Sequence, residues 1–83
     1  MLEKSELDQM IEHEKRRTAL EYQHEAWVGG LSDGIEMEIM AEAAIETALT
    51  ELVEAGGESA ALAYLDEIKE QVVAGAFGAR TLQ

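Results

Sequence analysis

Apolar residues recur at steps of three and four along most of the chain, and glycines separate the stretches in which they do so. In the clearest stretch, about residues 33–55, the apolar side chains fall on one broad arc of a helix. A second apolar line follows the Gly56-Gly57 pair, with a seam at Leu65, Ile68 and Val72. The pattern predicts two antiparallel helices, over about 33–55 and 59–74, joined as a hairpin by a tight glycine turn.

A third, more polar helix is predicted before this hairpin, over about residues 5–28, with a break where Gly29 and Gly30 follow. Ser32 or Asp33 would then cap the second helix. A helix as polar as the first seldom lies flat on a small core along its whole length. We therefore expect one all-α domain of three helices, spanning residues 1–83, that completes its burial by forming a homodimer.

The predicted dimer interface consists of apolar residues on the first two helices. These residues are Leu20, Trp27, Met37, Met40 and Leu49. Small alanines on the second helix would let another helix approach closely, and the methionines offer adaptable packing. The pattern leaves open whether residues 75–83 extend the third helix or form a tail.

The net charge is the strongest compositional indication of which partners the chain can bind. The sequence has 18 acidic and 6 basic residues, which give a formal net charge of −12. The only basic cluster, Lys15 to Arg17, is flanked by glutamates and is interpreted as a set of helical ion pairs, Glu12 with Arg16 and Glu21 with Arg17. A surface of this sign repels nucleic acid and anionic membrane. No long apolar run or signal-peptide pattern is present, so we expect a cytoplasmic protein.

Catalytic motifs are missing from the sequence. There is no cysteine, no glycine-rich phosphate loop and no arrangement of serine, histidine and aspartate that suggests a nucleophile. We therefore expect a non-enzymatic interaction module, a small acidic inhibitor or adaptor that binds a basic protein surface. Some phage-encoded inhibitors of host defence present carboxylates in place of nucleic-acid phosphates, an analogy of charge and size only.

One pair of residues favours an alternative function. Glu21 and His24 have the Glu-x-x-His spacing with which ferritin-like carboxylate proteins hold two metal ions between helices. The second helix adds glutamates at steps of four, Glu38, Glu42 and Glu46. A dimer would double this set of ligands and could hold divalent iron, manganese or zinc. The other interpretation is that His24 packs beside Trp27 and that no cofactor is bound.

Overall fold

The computed structural model describes residues 4–78, and this part of the chain contains α-helices and turns and no strand. Helix α1 spans Lys4–Ser32 and helix α2 spans Met37–Val73. The chain divides into two compact units, Met1–Ala41 and Glu42–Gln83, and the boundary falls early in α2. The prediction of an all-α fold is confirmed, whereas the prediction of three helices is wrong, since the described part contains two.

Helix α1 continues through both glycines at which a break was predicted. Its end at Ser32 lies beyond the expected end near residue 28. At Gly30 the glycine serves packing, since an added Cβ would overlap the sulfur and terminal methyl of Met40. Gly30 therefore allows the close approach of a side chain from α2, and its backbone remains helical.

The end of α1 is closed by backbone hydrogen bonds around a left-handed glycine. Gly34 has φ 89°, and its N–H donates to the carbonyl of Leu31 at 3.0 Å. The N–H of Ile35 donates to the carbonyl of Gly30 at 3.1 Å, which completes a Schellman motif. Ser32 is thus the last residue of α1 and Asp33 lies in the turn after it, whereas α2 begins at Met37, so the prediction that Ser32 or Asp33 caps the following helix is wrong.

Helix α2 joins the predicted second and third helices into one kinked element. Gly57 alone has a non-helical conformation within it, with φ 86° and ψ 170°, a combination that only glycine adopts readily. The position of the predicted break is therefore correct, but one residue changes the chain direction and no loop separates two helices. Near the end predicted at residue 74, α2 stops at Val73, and Gly75 with φ 87° closes it as Gly34 closes α1.

Burial is sparse and local in both units. Ala61, in Glu42–Gln83, is the one buried residue among those whose side chains are described, with 4% of its surface exposed. Around the kink, Leu49, Leu52 and Ile68 are half-buried. In the predicted seam, Leu65 and Val72 are exposed, so only Ile68 of that seam is substantially covered. In Met1–Ala41 the half-buried residues are Trp27, Gly30, Met40 and Ala41.

Candidate interaction surface

Large apolar side chains are exposed along α1. Every residue from 5 to 26 is exposed, so this stretch of helix covers no core of its own. Seven exposed apolar residues lie on α1, namely Leu7, Met10, Ile11, Leu20, Tyr22, Val28 and Leu31. Single exposed apolar residues are normal on a protein surface, whereas a contiguous apolar surface indicates a contact, so the position of these side chains around the helix matters.

Helix α2 also exposes apolar side chains, and here they stand beside carboxylates. Ile45 is 58% exposed, the exposed Glu42 lies one turn before it, and the exposed Glu46 directly follows it in the sequence. After the kink, Leu62 is exposed although it directly follows the buried Ala61.

The five predicted interface residues have two different environments. Leu20 and Met37 are exposed, at 64% and 61%, and are available to a partner. Trp27 and Met40 are half-buried in Met1–Ala41, and Leu49 is half-buried in Glu42–Gln83. The half-buried three already contribute to packing within their own units, and their role in an interface stays a prediction.

The two arginines of the basic cluster on α1 each form an ion pair with a glutamate of the same helix. Arg16 donates to Glu12 at 3.1 Å, as predicted. Arg17 donates to Glu14 at 2.7 Å and not to the predicted Glu21. The preference agrees with the helix dipole, which favours a glutamate placed N-terminal to its basic partner. Because all four side chains are well exposed, each pair contributes only a few tenths of a kcal/mol.

The candidate metal ligands Glu21 and His24 lie together at the surface. Both are exposed, and they line a shallow surface concavity with Arg17, Leu20 and Glu25. Among the described side chains, no group of three or more histidine, aspartate and glutamate residues is arranged to hold a metal ion. A metal site at Glu21 and His24 thus stays a prediction that would require ligands from elsewhere.

Comparison with known proteins gives no match to any family model, to any curated protein or to any solved structure. Within residues 4–78, neither α1 nor α2 combines the length and the apolar character that crossing a bilayer requires.

Proposed function

We propose that this chain is a non-enzymatic protein–protein interaction module that binds a basic partner surface in the cytoplasm. The observation that carries the proposal is the exposed Ile45 with Glu42 and Glu46 beside it on α2. Apolar surface beside charged residues is common in protein–protein contacts. We refer to these three residues as the α2 patch.

The sign of the charge defines the partner. With 18 acidic and 6 basic residues, the chain attracts positively charged surfaces and repels phosphate-rich ones. Complementary charge accelerates encounter and weakens as salt rises, because the Debye length is about 8 Å at physiological ionic strength. An inhibitor or adaptor that covers a basic functional surface, including one that otherwise binds nucleic acid, fits this chemistry.

Self-association is the second part of the proposal. The exposed apolar residues of α1 lie away from the α2 patch in the sequence and occur on the unit Met1–Ala41. A homodimer is the simplest closed assembly that covers the same surface on both copies. We therefore propose that the interaction module acts as a dimer.

Affinity capture with a matched charge control tests partner binding. The chain would be immobilised, exposed to a lysate of its own cells, and washed with increasing NaCl. The double substitution Glu42→Gln and Glu46→Gln changes the α2 patch, and Glu67→Gln with Glu70→Gln removes the same charge elsewhere on exposed α2. Circular dichroism would verify that both variants keep their helicity.

We expect basic proteins to be retained at low salt, released at high salt, and lost from the patch variant more than from its control. Equal loss from both variants would mean that net charge alone causes retention. Retention that is insensitive to salt, or capture of acidic proteins, would refute the proposal of a basic partner.

A further inference from the structure

Eight residues of α1 form one exposed line along the helix, at alternating steps of three and four. The line comprises Leu7, Met10, Glu14, Arg17, Glu21, His24, Val28 and Leu31. All eight are exposed. This is the spacing of the a and d positions of a coiled coil, whose seam faces a second helix. We call these residues the α1 seam.

The α1 seam lies next to the side of α1 that packs within its own unit, but it is not covered by that packing. That other side contains the half-buried Trp27 and Gly30, and Met40 of α2 lies against Gly30. At about 100° per residue, Gly30 points about 160° away from Val28, whereas Trp27 is a helical neighbour of both His24 and Leu31, at three- and four-residue spacing. The C-terminal end of the seam borders the packed side of α1, yet every residue of the seam stays exposed. Packing inside Met1–Ala41 therefore leaves the seam uncovered.

The α1 seam is complementary to the α1 seam of a second copy that runs in the opposite direction. In an antiparallel coiled coil each a position lies at the level of a d position of the partner. Suppose that the two helices cross at the level of Ala19. Apolar residues of the two copies then meet at the ends of the seam, and oppositely charged or hydrogen-bonding side chains meet in its middle. The resulting pairs are Leu7 with Leu31, Met10 with Val28, Glu14 with His24, and Arg17 with Glu21, each made twice.

A parallel, in-register arrangement lacks this complementarity. It would place Glu14, Arg17 and Glu21 each opposite an identical charge of the second copy. Like charges across a helical seam are a recognised means of excluding an arrangement, and polar residues at seam positions fix register and orientation. The polar middle of α1 thus selects the antiparallel arrangement.

We propose that the α1 seam is the self-association surface and that its occupant is the α1 seam of a second copy, antiparallel and crossing at Ala19. This inference rests on the self-association proposed above and specifies its surface and orientation. It does not depend on the basic partner, whose binding is assigned to the α2 patch.

Single cysteines test the orientation cleanly, because the chain has no cysteine of its own. Met10→Cys and Val28→Cys would be made in separate chains, checked for helicity and dimer mass, and oxidised alone and as a mixture. In the proposed dimer, residue 10 faces residue 28 of the other copy, and the two residues 10 are about 27 Å apart along the axis. A disulfide needs Cα atoms within about 7 Å.

We expect covalent dimers only in the mixture. Self-cross-linking of Met10→Cys would indicate a parallel pair, and absence of cross-links from a proven dimer would indicate another surface. Either result would refute the proposal that the α1 seam pairs antiparallel with a second copy, but it would not contradict self-association. A monomer throughout a sedimentation concentration series would overturn self-association and the seam together, without affecting the capture of basic proteins.

A charge reversal with a neighbouring control provides the second readout. Arg17→Glu places a glutamate opposite Glu21 of the second copy, and we expect the dimer dissociation constant to rise at least about tenfold. The control is Arg16→Glu, which makes the same charge change outside the seam. Each of the two variants removes one ion pair within α1, Arg16 with Glu12 or Arg17 with Glu14. Equal weakening by both variants would overturn the inference.

Discussion

Two stretches of similar helical character differ sharply in burial. Residues 5–26 of α1 are all exposed, whereas the stretch of α2 around the kink contains the buried Ala61 and the half-buried Leu52 and Ile68. Both stretches are helical and rich in glutamate. The difference is the change of chain direction at Gly57, which has no counterpart within α1. Helical periodicity alone does not create a core, because a helix face is buried only against another element.

Removing the kink should have the largest effect. Gly57→Ala places a Cβ on a residue with φ 86° and ψ 170°, a conformation that costs a non-glycine residue about 1 to 3 kcal/mol. We expect the free energy of unfolding in urea to fall by that amount. The control is Gly29→Ala, at a helical glycine with open space around it. If Gly57→Ala matched or exceeded the wild-type stability, the kink would not be the source of local burial.

Enlarging the buried alanine should have a similar or smaller effect. Ala61 is 4% exposed, so Ala61→Leu forces extra methyl groups into packed surroundings and should cost about 1 to 3 kcal/mol. Ala63→Leu adds the same group two residues away at an exposed position and should change stability by less than about 0.5 kcal/mol. Thermal and urea unfolding of the pair measure the difference. Equal effects would show that the region around Ala61 is no more packed than its surroundings.

On α1 the expected changes are smaller and of opposite sign. Gly29→Ala should stabilise the chain by about 0.5 to 1 kcal/mol through helix propensity. Gly30→Ala should raise the free energy of unfolding by less, because the added Cβ must displace the flexible end of the Met40 side chain. In a Met40→Ala background the two substitutions should become equivalent, and a double-mutant cycle would measure the coupling. No coupling would mean that Met40 does not pack on Gly30 in solution.

Metal ions should have the smallest effect. Glu21 and His24 provide two exposed ligands on one helix, fewer than the four that zinc usually requires. We expect Zn²⁺ to leave the melting temperature nearly unchanged at concentrations equal to that of the protein. A clear rise that disappears in the double substitution Glu21→Ala with His24→Ala would instead establish the metal site, with further ligands supplied by a second copy.

The sequence predicts the helical class and the position of the kink because both depend on local signals. The broad apolar arc before residue 55 and the Gly56-Gly57 pair are such signals. The Gly29-Gly30 pair looks identical in the sequence but remains helical. Gly30 packs against the side chain of Met40, which lies ten positions further along the chain, and a local pattern contains no information on that contact.

The candidate surfaces were only partly predictable. The excess of acidic residues and the polarity of α1 are sequence properties, and they led to the expected acidic surface and unpartnered first helix. Which apolar residues stay exposed depends on the packing within each unit. Leu62 and Ile45 belong to apolar helical arcs by pattern, yet each is more than half exposed because no other element covers it.

The short distance along the chain between packed residues has a consequence for the speed of folding. Gly30 and Met40 are ten positions apart, and the buried and half-buried residues around Gly57 come from adjoining parts of one element. Contacts between near neighbours require little loop closure, and proteins rich in them fold in microseconds to milliseconds. The chain contains no proline, so no peptide-bond isomerisation delays folding. Refolding should therefore be complete within milliseconds, and any slower phase should accelerate with protein concentration because it reports the meeting of two chains.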